Sequence, residues 1–247
     1  MSAAPSPAQA AAPVRERRTP RTRDVLAALL RKELRVELRS FEAVPAMSLF
    51  SVTTFVLFHF ALVHLGQGLS GDLASGVLWV TLLFAAVLGI NRLFVADAEQ
   101  GGFDAFLLSP ADRSALLLSK ALTLLAYLVV LELVAVPAFA LLLLGPPLWA
   151  ALPSLLAVLA LGDLGIVVIG TLVGALAVRT SARDLLGPMI SLPLLVPVLL
   201  CAARASSPVL GLAGVGALPL RWLLTLALYD LVFGLITFAV FDFLLED

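Results

Sequence analysis

From residue 44 onward the chain alternates long apolar runs with short polar interruptions. A helix needs about 20 mostly apolar residues to cross the hydrocarbon of a bilayer. Six stretches reach that length, at about 44–65, 73–93, 117–144, 150–178, 185–203 and 221–243. The third and fourth exceed it, so they tilt, kink or protrude. The fourth is also readable as a re-entrant pair, six spans being the simpler count. Residues 25–41 carry a different period. At 100° per residue, Leu26, Leu30, Leu34, Leu38 and Phe41 share a stripe about 120° wide, with Arg31, Lys32, Arg35 and Arg39 gathered opposite. That pattern predicts an amphipathic helix lying on an anionic leaflet, the alternative being an ordinary solvated helix. Glu33 and Glu37 fall near the apolar stripe and do not fit it. Residues 1–24, rich in alanine and proline and then in arginine, lack apolar period and predict disorder. No apolar core closely follows Arg17-Arg18, which argues against a cleaved signal. The predicted fold is therefore an all-α integral membrane protein, with an interfacial helix at 25–41 ahead of a six-span domain at 42–247.

Composition agrees with lipid as the main solvent. Hydrophobic residues make up 61% of the 247, charged residues 13%, and mean hydropathy is +1.08, where a soluble domain carries about 25% charged residues. Lysine and arginine in short connections orient a multi-span protein. Nine lie in residues 15–39, three more at Arg92, Arg113 and Lys120, and two at Arg179 and Arg183; the opposite side has only Arg204 and Arg221. Both ends and the 94–116 connection are thus expected in the cytoplasm.

That connection is the longest polar interruption between two spans. Within 97–120, Gly101-Gly102 interrupts the helix leaving the second span. Phe103, Phe106, Leu107 and Leu108 then form a short turn with an apolar face. Ser109-Pro110-Ala111-Asp112 reads as a new helix start, with a serine cap, proline at the first helical position and an acid at the third. A small apolar knob before a capped helix suits docking of a cytoplasmic partner.

Polar residues inside the spans are costly by roughly 2.5–3.5 kcal/mol on insertion scales, and by default mark a pathway or an intramembrane pairing. Glu132, Asp163 and Asp230 lie in the third, fourth and sixth spans, and His59 and His64 in the first. With no lysine or arginine at their depth, the carboxyls form a transport path together with His59, or hydrogen-bond between helices. The histidines are readable as haem or metal ligands or as hydrogen-bonded interhelical groups. Five positions apart, they do not share a face, and no metal site is expected. Pro188, Pro193 and Pro197 in the fifth span, and Pro137 in the third, each remove a helix hydrogen bond; the fifth span is a hinge or a static bend. Gly162, Gly165, Gly170 and Gly174 suit close helix contact, within the chain or across a dimer.

Other chemistry is excluded by what is missing. The single cysteine, Cys201, rules out an internal disulfide or a multi-cysteine cluster. Neither Lys32 nor Lys120 follows glycine, so there is no P-loop, and HExxH, CxxCH and GxSxG do not occur. Trp79, Trp149 and Trp222 are isolated, with no tryptophan-rich haem-handling loop. The chain is not expected to be an enzyme or to bind nucleic acid. Six spans with both ends inside, a basic helix before the first, and a structured second connection resemble the ABC-2-type exporter permeases. RKELRVELRS (31–40), GVLWVTLLFAAVLGINRLFVADAEQGGFDAFLLSP (76–110) and SARDLLGPMISLPLLVPVLL (181–200) resemble the CcmB family of haem exporter subunits, a similarity covering about 27–245. Residues 1–24 depart from the family and are assigned no role.

The resemblance implies a bacterial inner-membrane permease without ATP-binding machinery of its own. ATP and Mg²⁺ would sit on a CcmA-like ATPase partner; CcmC-like and CcmD-like membrane proteins and a second permease copy complete the expected assembly. Haem is implied as a handled ligand, with no ligand set supplied for this subunit. The coupling role transfers to Asp97, Glu99, Gly101, Gly102, Phe103, Phe106, Leu107, Leu108, Ser109 and Pro110. Export of a polysaccharide or lipid-linked molecule, or a non-transporting scaffold role, remain alternatives. A secondary transporter is disfavoured, because no internal repeat is visible.

Overall fold

The computed structural model describes residues 22–65, 68–99, 113–144, 148–178, 183–211 and 216–244. Among these the secondary structure is helical: α1 (Thr22–Ser40), α2 (Ala43–Leu65), α3 (Gly71–Glu99), α4 (Arg113–Phe139), α5 (Leu148–Val178), α6 (Arg183–Ser206) and α7 (Leu220–Leu244). Six of them, α2 to α7, are long and apolar enough to cross a membrane. The fourth span is one continuous helix rather than a re-entrant pair. The third ends as α-helix at Phe139, two residues beyond Pro137, and continues as a π-helical turn, Ala140–Leu144. Pro137 has no N–H to donate to Leu133 O, so the ladder is interrupted ahead of the change in helix type.

Helices α3 and α5 form the centre, while α2 and α7 lie outside and keep most of their surface exposed. The glycines of α5 set this arrangement. A Cβ on Gly162 would lie 2.2 Å from the Trp79 ring; one on Gly170, 2.7 Å from Ile90; one on Gly174, 2.4 Å from Phe94. Trp79, Ile90 and Phe94 descend α3 in the same order, so the two helices run parallel with large side chains of one seated on bare backbone of the other. Close approach of this kind drives association where lipid offers no hydrophobic gradient. The expected glycine contact is therefore made within the chain. Trp79 is fixed further by its Nε1–H, which donates to Ser206 Oγ at 3.0 Å. At the same end, Ser207 Oγ donates to Asp72 of α3.

The amphipathic helix forms, with its inward face shifted from the leucine stripe. Val25 and Leu29 pack on the core and Glu33 is buried. Leu38 and Phe41 at the end of the stripe are about two-thirds exposed, at 66% and 65%. Phe41 ends the helix with φ at 50°, in the left-handed region that bulky residues rarely adopt. Two residues later α2 begins. Its first two amide groups, Ala43 N–H and Val44 N–H, donate to the two carboxylate oxygens of Glu37 at 3.3 and 2.8 Å. Pro45 has no N–H to satisfy, and Ala46 N–H donates to Glu42 O at 3.4 Å. The start of α2 is thus fully accounted for, with a side chain of α1 acting as its cap.

Candidate functional site

The acid that did not fit the apolar stripe is half of a buried ion pair. Lys120, on α4, is 3% exposed, and its Nζ lies 3.1 Å from Glu33 Oε1, itself in an 8% exposed residue. The same ammonium donates to Leu93 O at 3.3 Å and stands 5.7 Å from the centre of the Phe94 ring. Lys32 adds a second cation 3.6 Å from Glu33 Oε1. One lysine therefore ties α1 to α4 and to the end of α3, and through Phe94 on Gly174 the node reaches α5. A cavity of about 50 Å³ opens beside it, lined in part by Glu37, Glu42, Arg92 and Tyr127. On its rim, Arg92 pairs with Glu42 at 3.1 Å, both well exposed.

This node brackets the 94–116 connection. Leu93 lies just before it, Phe94 at its first position and Lys120 shortly after its end. Asp97 and Glu99 belong to the last turns of α3. Gly101, Gly102, Phe103, Phe106, Leu107, Leu108, Ser109 and Pro110 lie outside the described residues, and α4 is in place from Arg113 onward. The residues that fasten the two ends of the connection were not singled out as a pair from sequence. A signal existed: an acid on the apolar side of a basic helix, and a lysine inside an apolar span, are each misplaced alone and satisfied together.

The intramembrane groups separate into three places. Glu132 of α4 and Asp163 of α5 are near enough to interact electrostatically, and Glu132 Oε1 has no hydrogen-bond partner. Asp230 of α7 is buried on a different side of α5, against Gly165 and Val198, and neither of its carboxylate oxygens has a hydrogen-bond partner. Residues 163 and 165 are two positions apart, about 200° around a helix, so α5 stands between the pair and the lone acid. His59 joins neither. Its Nδ1 is 2.5 Å from Leu142 O in the π-helical turn, ten residues and roughly 15 Å along the third span from Glu132. Among the described residues no group of three potential ligands could hold a metal ion.

Pro188, Pro193 and Pro197 lie in α6, which remains α-helical through all three. Ser191 Oγ donates to Pro188 O at 3.3 Å, and Tyr229 of α7 donates its hydroxyl to Leu194 O at 2.7 Å, between the second and third prolines. Proline leaves acceptors free in this segment, and a neighbouring helix supplies a donor beside them.

Six apolar spans preceded by a helix docked along their polar end define an all-helical, multi-pass membrane protein of permease type. The family model described as CcmB protein matches residues 24–243, and the chain belongs to that family. Heme exporter protein B of Rhodobacter capsulatus is 35% identical over 190 residues, covering 72% of this chain and 80% of that protein. Heme exporter protein B of Bradyrhizobium diazoefficiens is 35% identical over 213 residues, 85% of this chain and 93% of the relative. The Pseudomonas aeruginosa protein of the same name is 32% identical over 182 residues, 74% and 80% of the two chains.

Proposed function

We propose that this chain is the permease subunit of an ATP-driven ABC transporter complex that handles haem for cytochrome c maturation. The relatives' name, heme exporter protein B, supports the cargo. The lysine and arginine distribution supports a bacterial inner-membrane location with both termini and the 94–116 connection in the cytoplasm. ATP and Mg²⁺ would act on a CcmA-like partner, with CcmC-like and CcmD-like proteins and a second copy of the chain in the assembly. The observation that carries the coupling is the Lys120 node. Motion of the 94–116 connection would pull on Leu93, Phe94 and Lys120, and through them on α1, α4 and α5. An ATPase shifts such an equilibrium only through contacts that differ between its states, and the knob at Phe103–Leu108 would supply those contacts.

Phe103→Glu or Leu107→Glu is expected to abolish holocytochrome c formation while the chain still inserts. A variant that retains both the ATPase in pull-downs and holocytochrome formation would refute the assignment. Glu132→Gln and Asp163→Asn, which keep shape and hydrogen bonding but remove an ionisable group, are expected to reduce holocytochrome to a small fraction while the complex still assembles. Unchanged maturation in both would instead favour a scaffold role. Co-purification from native membranes in mild detergent, read by mass spectrometry, separates the cargo classes. An ATPase with a tryptophan-rich haem-handling protein supports haem; an ATPase with polysaccharide or lipid enzymes keeps the architecture and overturns the cargo.

A further inference from the structure

His59 sits where α2 meets the π-helical turn that ends the third span. The α- and π-ladder donors to Leu142 O would be the N–H groups of residues 146 and 147, and both are proline, which has none. His59 Nδ1 supplies a donor instead, at 2.5 Å. A carbonyl only accepts, so the hydrogen is on Nδ1, and in the neutral ring Nε2 then holds a lone pair. The Phe60 ring packs edge-on against the imidazole, with centroids 5.5 Å apart and planes at 76°. On the other side of the imidazole from Leu142 O, Nε2 has no partner among the described residues and is not enclosed by them. The surface around this part-buried histidine is apolar: Phe60, Val63 and Leu141 are 67%, 65% and 85% exposed.

We infer that His59 Nε2 is an axial ligand for haem iron, with the macrocycle lying against α2 and the π-helical turn from the lipid side; this rests on the haem reading above. A ring N–H donated to a backbone carbonyl is the arrangement that orients metal-binding histidines and raises their basicity, and imidazole is a common axial ligand of haem iron. A bare metal ion does not fit, because the described residues hold no group of three potential ligands. Haem brings its own ring of nitrogens and needs only an axial imidazole from the protein. Its apolar faces match the exposed aromatic and aliphatic side chains beside His59. Six residues, about 9 Å, separate His59 from the last residue of α2. Propionates of a haem held there reach the headgroups while the iron stays at hydrocarbon depth. The lone pair takes an axial position in place of a water, and the oxidation state of the iron does not change.

The full chain, purified and set in phosphatidylcholine nanodiscs, would be titrated with hemin and separately with iron-free protoporphyrin. Wild type is expected to give the saturable Soret shift of histidine-ligated haem, His64→Asn the same shift, and His59→Asn none. Asparagine keeps an N–H for Leu142 O, so the thermal midpoint of His59→Asn is expected to stay near wild type, whereas His59→Leu lowers it. A purely structural histidine would reproduce those midpoints without the spectral loss. An unshifted Soret band in wild type, an equal shift in His59→Asn, or iron-free protoporphyrin bound as tightly as hemin would each overturn the inference. If His59→Asn does not insert, His59→Gln is read in the same titration. Holocytochrome c formation in cells separates the two readings. A chain that supports it without a His59-dependent band overturns the ligand and leaves haem as the cargo. A chain that ligates hemin through His59 but is not needed for holocytochrome supports the ligand and overturns the maturation role.

Discussion

Lys120→Met is expected to destabilise the protein by about 3–5 kcal/mol, the usual penalty for removing one partner of a buried ion pair. The penalty does not measure the worth of the pair. It arises because Glu33, 8% exposed, loses the cation 3.1 Å from its carboxylate, and because Leu93 O loses the donor at 3.3 Å. Lys32, 3.6 Å away and itself partly exposed, recovers only a fraction. Glu33→Leu combined with Lys120→Met is expected to return close to wild-type stability, since replacing both ions by apolar groups is often neutral or stabilising. The check is the thermal midpoint of detergent-solubilised protein by size-exclusion chromatography. Equal loss in the single and double variants would mean that packing around Lys120, and not its charge, holds α1 in place. Holocytochrome formation by a stable double variant then asks whether the ionic link is also needed for coupling.

Gly162→Val should be the second severe change. Its Cβ would stand 2.2 Å from an indole ring that is 1% exposed and hydrogen-bonded through Nε1 to Ser206. Ser206 is fixed in turn, donating to Ala202 O at 2.9 Å. The ring has nowhere to retreat, and overpacking of this kind costs typically about 1–3 kcal/mol, with about 1 kcal/mol more if the Trp79 hydrogen bond breaks. Gly234→Ala is the matched control, with open space around its Cβ, and is expected to leave the midpoint unchanged. A Gly162→Val protein as stable as that control would show that α3 and α5 are not held at this point.

The six spans were legible in the sequence because hydrocarbon imposes length and apolarity on every crossing segment. The helix before them was legible through its period, and the glycines of α5 through their spacing. The groups that neutralise one another were not. Glu33 and Lys120 are 87 residues apart, and periodicity along one helix says nothing about which residue of another it meets. Which face of α1 docks on the spans was not legible for the same reason. Counting leucines finds the greasiest stripe, while the docked face contains Glu33, whose charge is matched only in three dimensions. Likewise Glu132, Asp163 and Asp230 looked like one set of intramembrane acids, and the turn of α5 between residues 163 and 165 divides them.

The corner between α1 and α2 has a mechanical meaning. Only Phe41 and Glu42 separate the two helices, Phe41 is locked in an uncommon backbone state, and Glu37 grips the first two amides of α2. Such a joint transmits torque and absorbs little of it. Helix α1, 19 residues and about 28 Å long, is then a crank rigidly welded to the first span, and a tilt of it must reappear as rotation of α2 within the bilayer.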